Sequence, residues 1–271
     1  MRPPTQFSFD GILRQQRQRW YRQVAQLTVA LGIILLCFSL VGLLDTARLA
    51  AGIPAIATLA QAMFPPDFSR LPQWIVPTID TVAMSIAGTA IAVCLSLPLS
   101  LLAARNTCPH PVVFYGTRLL LNLARAIPEL ILGMILVAAV GFGKLPGTLA
   151  LGLHSVGMVG KFFAELIELS DQAPVEAARA VGATQPQIIV HSVLPQILPH
   201  ITDVTFYRWE YNLRASLVLG AVGAGGLGLE IISALRVLKY KEVSALLIVV
   251  LILVTAVDSL SSYLRQRSTT V

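Results

Sequence analysis

243-VSALLIVVLILVTAVDSLSSY-263 is the stretch that decides the fold, because Asp258 is its only charge. A helix of about 20 apolar residues crosses the ~30 Å hydrocarbon core of a bilayer. In lipid the backbone must satisfy its own polar groups, so such a run folds as a helix. Five further stretches read the same way: 24–44, 79–103, 119–142, 145–168 and 198–222, the last unusually polar for a span. Overall the 271 residues are 55% hydrophobic and only 13% charged, with a mean hydropathy of +0.74. A soluble domain carries about 25% charged residues. The chain therefore reads as an all-α integral membrane protein with about six transmembrane helices.

The net charge is +6, which would suit nucleic acid, but the cations flank apolar runs as topology signals do. With the N-terminus in the cytoplasm, eleven positive residues fall inside and six outside, among them Arg48, Arg70, Lys144 and Lys239. That favours both termini in the cytoplasm. The expected organisation is a cytoplasmic segment over 1–23, a first span and long outside loop over 24–78, a core over 79–263 and a tail over 264–271. The polar start is too long for a cleaved signal, so the first span is expected to be retained. Its arginines suit a surface helix on anionic lipid. Within the outside loop, 60-AQAMFPPDFSRLPQW-74 suggests a short helix ended by Pro65 and Pro66. Cys37, Cys94 and Cys108 have neither CxxC spacing nor an even count, so they read as packing residues.

Between the fourth and fifth spans lies 170-SDQAPVEAARAVGATQPQIIVHSVLPQILP-199. Pro174 suits a first helical turn, Glu176 the positive helix end and Gly182 a left-handed C-terminal cap. Thr184 and Gln187 have capping-box spacing for a second helix. The expected product is a small knob on the cytoplasmic side.

The fifth span carries Asp203, Arg208, Glu210 and Arg214, and charges at this depth rarely face lipid. Asp203, Glu210 and Arg214 share one helical stripe, on which Glu210 and Arg214 are spaced to pair. Arg208 points about 140° from Asp203, which makes it the best candidate to meet an anion in transit. Arg125 and Glu129, four apart around Pro128, form a second candidate pair, and all six charges either pair structurally in the membrane or line the path of an anionic substrate. The lone His154 is expected to pack or to make a local hydrogen bond. No cluster has metal-ligand spacing, no nucleophile has a base, and no G-x-x-x-x-G-K-[ST] loop is present. No bound cofactor is expected, and any ATP with its Mg must be handled by another chain.

Gly223, Gly225 and Gly228 of 223-GAGGLG-228 satisfy the dinucleotide pattern G-x-G-x-x-G. That pattern requires a strand before it and a soluble βαβ unit around it, whereas these glycines follow a charged span at its outer end. They read instead, with Gly226, as a small-residue hinge or gate at the outer mouth of a pathway.

The stretch EAARAVG followed by HSVLP resembles the EAA motif of ABC importer permeases, E-A-A-x3-G-x9-I-x-L-P. The match falls on Glu176, Ala177, Ala178, Gly182, Leu194 and Pro195, and departs at Ser192, where the motif has isoleucine. From about residue 79 onward the chain is similar to the phosphonate importer permeases. The segments are 116–143, 154–168, 206-FYRWEYNLRASLVLGAVGAGGLG-228 and 257–265. The resemblance implies the type I, MetI-like permease fold in a bacterial inner membrane, with residues 170–195 as a coupling helix on a partner ATPase. It further implies a second permease subunit, a homodimer in the simplest case, with two cytoplasmic ATP-binding subunits and a periplasmic substrate-binding protein. The implied cargo is phosphonate or a related phosphorus oxyanion, phosphite or phosphate. The same machine with an amino-acid cargo such as methionine is one alternative. A secondary transporter or a structural membrane protein is the other.

Overall fold

Helices make up most of the described chain, and no strand occurs among the described residues. The computed structural model describes residues 9–268; Arg2 and the end of the expected tail lie outside the described residues. Two units follow one another, the first ending at Ala62 and the second beginning at Met63.

The first unit holds α1 (Phe9–Leu40) and α2 (Thr46–Ala62). Its apolar stretch Gln16–Leu40 is long enough to cross a membrane. The helix begins at Phe9, before that stretch, and Arg17 and Arg22 lie within the first turns of the stretch itself, with the Arg17 guanidinium 5.7 Å from the Tyr21 ring centre. The short helix expected within 60–74 is not a separate element: residues 60–62 are the end of the 17-residue α2, and Leu71–Trp74 form a 3-10 turn.

The second unit opens with a 3-10 turn, Leu71–Trp74, leading into α3 (Ile75–Ala103). Then come α4 (Pro111–Ala126), α5 (Glu129–Val140) and α6 (Lys144–Glu168). After α7 (Gln172–Ala180) and α8 (Gln185–Ile188), a π-helical turn at Ile189–Val193 joins α9 (Leu194–Gly220). Finally α10 (Gly226–Arg236) precedes α11 (Tyr240–Ser268).

Helix α6 is the centre of the unit, and glycines let α3 press against it. A Cβ at Gly88 would stand 2.8 Å from Leu151 Cβ, and one at Gly152 would stand 2.9 Å from Ile91 Cγ2. Small residues of this kind are how helices approach in lipid, where apolar burial alone gives little association. Ser96 ties the same pair together by donating to the Val156 carbonyl at 3.1 Å.

The run expected as one span at 119–142 is two helices. Pro128 cannot donate a helical hydrogen bond, and it drives the residue before it out of helical geometry. Ile127 accordingly sits at φ −83°, ψ 120°, and α4 and α5 meet at an 84° bend. Besides Gln16–Leu40, the helices among the described residues that are long and apolar enough to cross are Leu71–Ala103, Lys144–Glu168 and Tyr240–Arg267, and counting the bent pair as one span brings the number to five. Helix α9 has 27 residues, about 40 Å of helix. It is long enough, but its four charges set its composition apart.

Candidate functional site

Helix α9 runs between two specialised ends, with the knob at its start, the glycine turn at its finish and a buried polar array between them.

At the knob, Asp171 caps α7 by accepting from the Ala173 N–H at 3.0 Å. The helix closes as a Schellman motif: Gly182, at φ +83°, donates to Arg179 O, and Ala183 donates to Ala178 O. Thr184 and Gln187 make the capping box of α8, the Gln187 side-chain oxygen accepting from the Thr184 N–H at 2.8 Å. Val175 and Ile188 are buried in the same apolar cluster as Phe163, Ile167 and Ile197. The knob is thus continuous with the bundle. Glu176 and Ala177 remain exposed and Ala178 is half-buried, as is Leu194, while Pro195 is exposed. Ser192, at the departure from the motif, donates to the Pro174 carbonyl at 3.3 Å. A hydrogen bond to α7 stands where the motif's isoleucine would pack. Gln196 adds a second tie, accepting from the Asp171 N–H at 2.8 Å.

Midway along α9, Arg208 is 1% exposed. Its Nε–H donates to Ser155 Oγ at 2.7 Å, Ser155 donates to Asn212 Oδ1 at 3.0 Å, and Asn212 donates to Thr89 Oγ1 at 2.9 Å. Thr89 completes the series by donating to the Ser85 carbonyl at 2.7 Å. The chain crosses α9, α6 and α3 and fixes the guanidinium from one side, each bond polarising the next. On the other side the guanidinium lies 4.2 Å from the centre of the Tyr211 ring. Tyr211 donates to both oxygens of Glu129, at 3.0 and 3.1 Å. His154 Nε2 stands 3.3 Å from Glu129, and its Nδ1–H donates to the Ile127 carbonyl at 3.0 Å. Arg208 Nη2 is buried with no hydrogen-bond partner among the described residues.

Two expected ion pairs are replaced by others. Glu210 turns from Arg214 to Arg265 of α11, at 2.8 Å, and Arg214 pairs with Asp258 at 3.2 Å. The stripe on α9 faces α11, whose charges answer it better than a neighbour on the same helix. Asp203 lies on α9 two turns before Glu210 and is half-buried. Arg125 and Glu129 part because the 84° bend lies between them, leaving Glu129 to Tyr211 and His154. Sequence reasoning missed Ser155, Asn212, Thr89 and Tyr211. The available signal was the spacing of Tyr211 and Asn212, three and four residues after Arg208 and so on its face of the helix.

At the far end, Gly223, Gly225 and Gly226 have φ of +96°, +88° and +69°. The turn is pinned by Gly143 N–H donating to Gly223 O at 3.0 Å and by Leu227 N–H donating to Thr81 Oγ1 at 2.9 Å. Gly220 and Gly228 let α9 and α10 touch: a Cβ on Gly220 would stand 2.6 Å from the Gly228 backbone. Helices flank the turn on both sides, so the dinucleotide motif has no strand to follow.

Residues 96–270 match the family model of the binding-protein-dependent transport system inner membrane component. The chain belongs to that family. Among similar proteins, a phosphite transport system permease protein of Stutzerimonas stutzeri is 60% identical over 257 residues, 95% of this chain and 94% of its own. A second, putative phosphite transport system permease of the same organism is 40% identical over 80% of this chain and 77% of its own. The inward-facing MetNI methionine ABC transporter shares the fold, with a TM-score of 0.64 and 20% identity over 74% of this chain and 98% of that one. This inner-membrane component is therefore a multi-pass permease of the ABC importer type, a transport subunit and not an enzyme.

Proposed function

We propose that this permease moves a phosphorus oxyanion, phosphite foremost, with phosphonate and phosphate as related cargoes, and that Arg208 meets the anion in the membrane. The observation that carries this reading is the Arg208 guanidinium, buried midway along α9 and anchored through Nε, with Nη2 left over. An anion in a low-dielectric path needs such a donor, and a guanidinium fits the oxygens of phosphorus oxyanions in pairs. The names of the two phosphite permeases support the cargo. A methionine-like amino acid would find this cation less well matched to its apolar side chain.

Under the same reading the periplasmic binding protein delivers cargo at the glycine turn. A second copy of the permease completes the path, and two ATP-binding subunits dock on Glu176, Ala177 and Ala178. ATP and Mg belong to those subunits. Closure of the ATPases draws the two knobs together, and the motion passes through the cluster of Val175, Ile188 and Phe163 into α6 and α9. The turn at Gly223–Gly228 then acts as the outer gate, with both termini in the cytoplasm.

Uptake of labelled phosphite in cells lacking their own importer tests the reading. Arg208→Ala is expected to abolish uptake while the ATPase still co-purifies. Wild-type uptake by that variant would overturn the assignment.

A further inference from the structure

A second cationic site lies away from Arg208, at the knob end of the bundle. On α4, Arg118, Asn122 and Arg125 are spaced to share one face. On α6, Lys161 and Glu165 face them across a pocket of about 240 Å³, far larger than the ~15 Å³ that admits one water. Glycines on α6 force this meeting. A Cβ at Gly157 would stand 2.7 Å from Arg125 N, and one at Gly160 would stand 2.7 Å from Leu121 Cδ2. The α4 backbone thus rests directly on α6, and Arg125 is held on the same pocket as Lys161.

The carboxylates nearby do not balance the cations. Glu168 binds Arg118 at 2.8 Å and also accepts from the Arg105 N–H at 2.8 Å. Glu165 pairs with Lys161 at 3.5 Å, with both side chains nearly half exposed, the weak kind of surface pair. Arg125 makes no ion pair among the described residues.

We propose that this pocket binds a phosphate group, held between Arg125 and Lys161 with Asn122 as a neutral donor. A forked guanidinium and a mobile ammonium are the pair of groups that recognise such an anion. The proposal stands on the pocket alone and is independent of what Arg208 meets. Two sources share the chemistry: a free phosphorus oxyanion on the knob side, or the headgroup of an anionic phospholipid in that leaflet. Occupancy reports to the knob, because Glu165 stands in the last turn of α6, directly before the chain enters α7.

The test uses the permease purified with its ATPase and reconstituted in nanodiscs. In discs of phosphatidylcholine alone, inorganic phosphate and phosphite are titrated and followed by ³¹P line broadening. In discs containing phosphatidylglycerol, retained lipid is counted by native mass spectrometry. Arg125→Gln/Lys161→Gln is expected to weaken one of these signals at least tenfold. Loss of the titration signal identifies the free anion, and loss of retained phosphatidylglycerol identifies the lipid. Lys161→Gln alone, at an exposed side chain, gives the same reading if the double variant does not assemble. Equal signals in wild type and these variants, or a signal lost only in Arg208→Ala, would overturn the proposal.

Discussion

Two glycines of one turn differ in what a side chain would cost. Gly225 has φ +88°, ψ −161°, a region almost closed to other residues, yet around it only Lys144 Cγ comes within 4 Å, at 3.9 Å. Gly225→Ala is therefore expected to cost backbone strain alone, about 1–3 kcal/mol, and to leave a complex that assembles but transports slowly. Gly228 is the opposite case, since an added Cβ would run into the Leu217 carbonyl. Gly228→Ala is expected to prevent stable assembly, which membrane yield and thermal unfolding of the purified complex would report. A reversal of that order would mean that backbone geometry, and not space, governs the turn. Arg208 carries a residue-scale expectation of its own. A hydrogen bond to a charged group contributes about 1.5–3 kcal/mol, so Arg208→Lys, which keeps the charge and loses the fork, should reduce phosphite uptake about 10- to 100-fold. An unchanged KM in uptake assays would argue that the charge alone suffices. The sequence shows Arg208 as a charge out of place in a membrane, but not which groups hold it. Ser155 and Thr89 are ordinary small residues of apolar helices until the crossing of α3, α6 and α9 brings them beside Asn212.

At the scale of elements, local rules and packing divide the work. The C-terminal cap of α7 and the capping box of α8 are legible because Gly182, Thr184 and Gln187 act within a few residues of themselves, whereas the Asp171 cap of α7 went unread. The bend at Pro128 was written in the sequence too, yet the apolar run 119–142 outweighed it, since hydropathy is blind to direction. Partners on other helices are illegible for a different reason: Glu210 and Arg265 are 55 residues apart, and only the packing of α9 on α11 joins them. The bend has a direct test. Pro128→Ala restores the missing donor and relieves Ile127, so α4 and α5 are expected to straighten. Spin labels at Leu120 and Ile135, both exposed, should then move apart in pulsed electron resonance. Uptake should fall as Glu129 leaves Tyr211 and His154. An unchanged distance would show that packing against α6, and not the proline, sets the angle.

For the whole molecule, the knob must transmit force and not merely touch a partner. Glu176 is exposed on α7 while Val175 beside it is buried, so one substitution probes docking and the other transmission. Glu176→Lys is expected to lose co-purification of the ATPase. Val175→Ala removes two methyls from the shared cluster, at about 1–2 kcal/mol. It should leave the ATPase bound but lower the uptake achieved per ATP hydrolysed. Loss of co-purification in both variants would mean that the knob folds only as a unit with its partner. The π turn at Ile189–Val193 bears on the same transmission. One residue more than an α-helix needs is wound into the chain just where the knob meets α9. Each residue turns a helix by about 100°, so that surplus residue acts as a phase shifter between the two. With it, the surface offered to the ATPase and the bearing of Arg208 in the membrane are set independently. Deleting Val190 should leave both ends intact and out of step: a permease that binds its ATPase, yet points its arginine away from the path.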